Sequence, residues 1–207
     1  MRSVLILTLT IGLFLCVGCS PKSRYDRIVK RELASGVRHD SLFLGISLGM
    51  TEKEFYTHCW KLNRQGLIKQ GNSNATVEFI VEKELKSRAT MNFYPYFVDT
   101  KIVLMPVQFT YTGWAPWNKE LSSDKLLEDV LQWYKKVYGD DFMKVTDKKE
   151  GIAYVKVDGN RRISVFKKDD MSVLAVFTDL LAVKNESPIP SDTLGIKNDS
   201  LNFTGEK

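Results

Sequence analysis

The sequence predicts an α+β domain made of two α-β-β-β units, with two helices packed on one face of an antiparallel sheet. Two observations carry this expectation. First, two stretches with apolar residues at helical spacing are each followed by runs that alternate apolar and polar residues. Second, each helix then owns one apolar stripe and each set of strands one apolar face, so each must cover the other.

The first unit, about residues 42–112, opens with Gly49-Met50-Thr51-Glu52-Lys53-Glu54-Phe55. Thr51 can cap a helix with its hydroxyl while Glu54 reaches back to the cap's own N–H, and Met50 and Phe55 stand at the two staple positions. Phe55, Cys59 and Leu62 share one helical face, and Gly66 supplies a left-handed stop. Three strands follow. Ala75, Val77, Phe79 and Val81 alternate with Thr76, Glu78 and Glu82, and Ala89, Met91 and Phe93 with Thr90 and Asn92. Val103, Met105, Val107, Phe109 and Tyr111 keep one parity through a long third strand. Pro106 cannot donate to a ladder, which predicts an edge or a bulge there.

The second unit, about residues 122–183, repeats the order. Ser122 or Ser123 caps a helix in which Leu127, Val130, Leu131, Tyr134, Val137 and Tyr138 form the stripe, and Gly139 ends it. Ala153, Val155 and Val157 alternate up to Asp158-Gly159-Asn160, a tight-hairpin signal. Ile163 and Val165 begin the return strand, and Val173, Ala175 and Phe177 make the last one. The sheet face bearing Thr76, Glu78, Thr90 and Asn92 is expected to be wet.

The flanks read differently. Residues 19–41 lack a sustained apolar period and are expected to form a tether or a loosely held helix. Residues 184–207 carry Pro188, Pro190 and many Ser, Asn and Asp, too little apolar surface to offset chain entropy, and are expected to be disordered. At the start, Arg2 precedes an apolar run from Val4 to Val17, the plan of a signal peptide over 1–18. The run is shorter than the roughly 20 residues a membrane span requires.

Leu15-Cys16-Val17-Gly18-Cys19 resembles the lipobox of Gram-negative lipoproteins, with Cys16 where Leu is usual. The resemblance implies cleavage before Cys19, acylation of its thiol, and a lipid-anchored protein of the cell envelope, at the outer membrane facing the periplasm. Acylation holds a protein by burying methylenes at about 0.8 kcal/mol each. With Cys16 removed and Cys19 acylated, Cys59 is the one thiol left, so no intramolecular disulfide can form. The formal charge of +5 is too small and too dispersed to argue for nucleic acid. Basic residues do lean toward the tether, at Lys22, Arg24, Arg27, Lys30, Arg31 and Arg38. Such a juxtamembrane cluster can touch anionic head groups, or can be a solvated linker.

Leu48-Gly49-Met50-Thr51 opening a helix ahead of antiparallel strands resembles the small exported lipoproteins of the BamE/SmpA type. The tandem α-β-β-β order is similar to the architecture of β-lactamase inhibitor proteins. These likenesses imply a non-enzymatic, protein-binding scaffold of the envelope.

Chemistry is sparse. The two histidines, His39 and His58, are not spaced as metal ligands, the one Cys-x-x-Cys spacing (Cys16 and Cys19) falls at the expected cleavage site, and no glycine-rich phosphate loop occurs. No catalytic residue, metal or cofactor is therefore expected. Cys59 lies beside His58, but neighbouring helical residues point apart, so it reads as a small buried hydrophobe. The pairs Asp140-Asp141 and Asp169-Asp170 fall in turns. Aromatic residues are the best binding candidates. Tyr111, Trp114 and Trp117 cluster in a connector with Gly113 and Pro116, and Tyr94 and Tyr96 flank Pro95 at a strand end. Such rings can anchor a partner protein or, as an alternative, stack on a glycan; they can also seal the core. Finally, Ser41, Thr193 and Ser200 each follow an Asp and precede a Leu, which resembles a bacterial O-glycosylation acceptor.

Overall fold

The computed structural model describes residues 21–71, 76–147 and 151–183. The fold is α+β: among these residues there are three α-helices and one antiparallel sheet of nine strands. Helix α1 spans Pro21–Ala34, α2 Glu52–Arg64 and α3 Ser123–Tyr138. The strands are β1 (Ile68–Gln70), β2 (Val77–Val81), β3 (Ala89–Phe93), β4 (Tyr96–Val98), β5 (Lys101–Tyr111), β6 (Met143–Asp147), β7 (Gly151–Asp158), β8 (Arg161–Lys167) and β9 (Ser172–Asp179). Their order across the sheet is β1-β2-β3-β5-β9-β8-β7-β6, with β4 pairing β5 beside the end of β3. Two meanders therefore meet where β5 pairs β9 in the centre.

One face of the sheet carries the larger core. Met91, Met105, Val107, Phe109, Ile163, Val165, Ala175 and Phe177 point to it, and Phe55 of α2 with Leu126, Val130 and Tyr134 of α3 covers them. The α3 stripe is rotated from the expected one: Leu126 is fully buried, Leu127 is half-buried and Val137 is 56% exposed. Ser122 is the N-cap of α3 by backbone position, without a side-chain cap bond.

The opposite face is not uniformly wet. Over β6, β7 and β8 it is covered by α1, so residues 21–34 take the helical one of the two forms expected of this segment and are packed on the sheet. Tyr25, Ile28, Val29 and Leu33 form a stripe at helical spacing that packs on Val145, Ala153, Val155, Val157, Phe166 and Val176. That stripe is diluted by five intervening basic and acidic residues, so average polarity hides it. Arg162, fully buried beneath α1, donates from Nη1 to the Tyr25 hydroxyl at 3.1 Å and from Nη2 to Thr178 Oγ1 at 3.3 Å. The rest of this face carries the row Lys69, Glu78, Asn92 and Gln108 across four adjacent strands. Glu78 is itself buried there, held by the Lys69 ammonium at 3.0 Å. Ala75 lies outside the described residues.

Pro106 sits neither at an edge nor in a bulge. Strand β5 is interior, paired to β9 through Pro106↔Val176. On its other flank β3 ends opposite Val107 and β4 begins opposite Leu104, so Pro106 faces the break between them, where no ladder bond is asked of it. The bulge lies at Val103, where the pairing jumps from Tyr96↔Leu104 to Phe97↔Ile102.

Candidate interaction surface

Helix α2 is positioned by its N-terminus. The Thr51 hydroxyl accepts from the Glu54 N–H at 3.3 Å, and Glu54 Oε2 accepts from the Thr51 N–H at 2.8 Å, a complete capping box. The first turn is then tied to the β4–β5 hairpin, the Glu52 N–H donating to the Thr100 carbonyl at 2.8 Å. Phe55 faces inward and is fully buried. Tyr56 and Trp60 lie one turn apart on a flank of the helix turned away from Phe55, 45% and 59% exposed. Tyr56 shares a hydroxyl–hydroxyl hydrogen bond of 2.5 Å with Tyr94, and the rings of Phe55, Tyr56, Tyr94 and Phe97 meet edge-on or tilted at 5.7–6.5 Å. The Arg64 guanidinium lies 4.8 Å from the Trp60 ring centroid, a cation–π contact. The bond with Tyr94, ahead of burial, pushes the Tyr56 hydroxyl up to about 12.

Open clefts flank the same helix. One, of about 710 Å³, is lined by Arg38, Asp40, Lys53, Glu54, His58 and Lys61 among others; the second, of about 430 Å³, by Glu52, Lys53, Tyr56 and Thr100. Each has a non-glycine residue with left-handed backbone beside it. Leu44 (φ +51) presents its carbonyl to His58 Nε2–H at 2.6 Å, and Asp99 (φ +48) with Thr100 (φ +64) makes the β4–β5 turn. For β-branched Thr100 that conformation is strained, and strain of this kind collects at binding and switching sites.

The expected aromatic platform is not assembled as a unit. Tyr111 is buried at the end of β5, where its hydroxyl donates to Asp129 Oδ2 at 2.6 Å; burial, then this bond, raises its titration well above the phenol range. Trp114 is half-buried against the larger core and donates from Nε1 to the Asp170 carbonyl at 3.2 Å. Trp117 stands alone at 84% exposure. Tyr94 belongs instead to the α2 cluster, and Tyr96 is half-buried on β4, its hydroxyl titration raised by burial. Sequence reasoning missed Tyr56 and Trp60, although their spacing off the Phe55-Cys59-Leu62 face was readable.

Cys59 is half-buried, and burial pushes its thiol up to about 11. Asp141 pairs with Lys156, and Asp169 Oδ1 accepts from the Met171 N–H, the Ser172 N–H and the Ser172 hydroxyl at 2.8–2.9 Å, so these acids build turns. Ser41 is exposed but ordered: it bridges to Ser47, and its carbonyl accepts from Arg161 Nη1 at 2.5 Å. Thr193, Ser200 and Cys19 lie outside the described residues.

A polar clasp holds the segment after α1. The Arg38 guanidinium meets Asp40 at 2.8 Å and Asp179 at 3.2 Å. Asn160 accepts from the His39 N–H at 2.7 Å and donates to Asp40 Oδ1 at 2.9 Å, while Glu32 Oε2 accepts from the Gly159 N–H at 3.2 Å. Burial would raise the Asp40 carboxyl, but the bonds from Arg38 and Asn160 outweigh it and hold that group below its ordinary range.

Among the described residues no group of three or more His, Cys, Asp or Glu is placed to hold a metal ion, and no helix is long and apolar enough to cross a membrane. No family model matches the chain, and neither a curated protein nor a solved structure matches it.

Proposed function

We propose that this chain is a lipid-anchored protein of the cell envelope, tethered through Cys19, that performs no catalysis and binds another protein through the exposed flank of α2. The observation that carries the binding surface is the joint exposure of Tyr56 and Trp60 one turn apart on α2, with Tyr56 lining one of the open clefts beside the helix. Aromatic side chains spend little conformational entropy on association and dominate the energy of protein interfaces. Here the capping box, Phe55 and the Tyr94 bond hold the helix and one ring in place before a partner arrives, which lowers the ordering cost of binding. The anchor rests on the lipobox-like residues preceding Cys19. The BamE/SmpA likeness of Leu48-Gly49-Met50-Thr51 agrees with a scaffold role.

We further read the domain as two related units, each a helix followed by a meander, joined at β5 and β9. The order α2-β1-β2-β3-β5 and α3-β6-β7-β8-β9 supports this, with four principal strands per unit in place of three. The alternative of a glycan platform at Tyr111, Trp114 and Trp117 has little geometric support, since one ring is buried and another half-buried.

A photo-crosslinking amino acid at position 60, introduced into the full chain in its native envelope, tests the surface. The expected result is a discrete crosslinked species with one envelope protein, lost when Tyr56→Ala is added. Absence of any protein crosslink at position 60, alongside capture from position 117, would transfer the binding role to the connector.

A further inference from the structure

Helix α1 has two unlike faces. Tyr25, Ile28, Val29 and Leu33 are turned to the sheet. Arg24, Arg27 and Arg31 share the opposite side at i, i+3 and i+7, and all three are exposed, with Lys30 beside them. Of the acids on the helix, Glu32 is turned aside to Arg31 and the Gly159 N–H, and Asp26 is the other. The helix begins at Pro21, two residues after Cys19, a stretch that spans at most about 7 Å.

We infer that the arginine face of α1 lies against the anionic head groups of the bilayer and sets the orientation of the whole domain. The inference rests on acylation of Cys19. Given that tether, the N-terminal end of α1 stays within a few ångströms of the membrane surface while the helix is packed on β6 and β7, and the side turned away from the sheet is the one rich in arginine. Guanidinium groups bind phosphates with paired donors, which suits a headgroup layer. Because α1 covers one face of the sheet and α2 the other, docking α1 turns Tyr56 and Trp60 away from the membrane.

The test uses the full chain as extracted from its native envelope in detergent, reconstituted into vesicles of phosphatidylcholine, or of phosphatidylcholine with phosphatidylglycerol. Arginine accessibility is read by a water-soluble dicarbonyl reagent and peptide mass spectrometry, with exposed Arg64 on α2 as internal reference. Each cation near an anionic surface strengthens association by about fivefold, so Arg24, Arg27 and Arg31 are expected to label several-fold more slowly on the anionic vesicles. High salt should erase the difference, and Arg64 should label equally on both. Equal labelling of the three arginines on both vesicles overturns the inference while leaving the anchor intact. Flotation with anionic vesicles alone overturns the anchor and keeps the arginine face; flotation with neither overturns both. The variant R24Q/R27Q/R31Q is expected to float with neutral vesicles and melt like the parent, yet an amine-reactive reagent should label its Lys30 equally on both vesicles, where the parent's Lys30 labels more slowly on the anionic ones.

Discussion

At the residue scale, the buried polar groups show how local chemistry is committed to structure. Asp129 is 3% exposed on α3 and accepts from the Tyr111 hydroxyl and from the Lys86 N–H at 3.0 Å, with the Lys86 ammonium at 3.1 Å. Asp129→Ala orphans these donors in the interior, and urea titration is expected to show a loss of about 3 kcal/mol. Trp60→Ala, on the surface, should stay within about 0.5 kcal/mol of the parent while abolishing partner capture. The thiol of Cys59, pushed up to about 11, should react with a maleimide far more slowly in the native protein than in denaturant. Fast native labelling would contradict its burial. The clasp at Asp40 and the β8–β9 turn at Asp169 have a pH signature. The Asp40 and Asp169 carboxyls lie below their ordinary range when folded: at each, burial opposes the shift, and hydrogen bonds outweigh it. Their stabilisation is therefore complete above the ordinary carboxylate range and drains away as pH falls through the folded values. Asp40→Asn should flatten the acid side of the melting temperature against pH curve.

At the scale of elements, what could be read in the sequence was what neighbours in the chain decide. The α2 capping box, the Gly66 stop (φ +70) and the hairpin at Gly159 all involve residues a few positions apart, and all are found where local rules put them. Distant partners decided the remainder. Glu78 is buried because Lys69 of β1 reaches it, and β5 is interior because β9, far along the chain, pairs with it. The packing of helix α1 is not legible in the sequence, because its stripe gains meaning only once β6 and β7 present a second apolar face. The exposed rings are half legible: Tyr94 stands out beside Pro95 at a strand end, while Tyr56 and Trp60 lie off the apolar stripe that marks the helix. The junction after α1 is tightly specified. A Cβ at Gly159 would stand 2.1 Å from the Val37 carbonyl oxygen, at a backbone φ of +51. Gly159→Ala should therefore cost at least about 2 kcal/mol and, in hydrogen exchange, release residues 35–41 before the sheet opens.

At the scale of the molecule, the sheet separates two surfaces of opposite character. Arginines on α1 cover one side close to Cys19, and exposed rings on α2 occupy the other. If Cys19 is acylated as proposed, the packing of α1 on the sheet gives the exposed rings a set direction, where a long tether would leave them free to tumble. Paired photo-crosslinkers at positions 27 and 60, placed in separate full chains in the native envelope, probe both sides at once. Position 60 should yield a protein adduct and position 27 a lipid adduct without protein. A protein adduct at position 27 with lipid at position 60 would reverse the orientation and contradict the assignment of both faces.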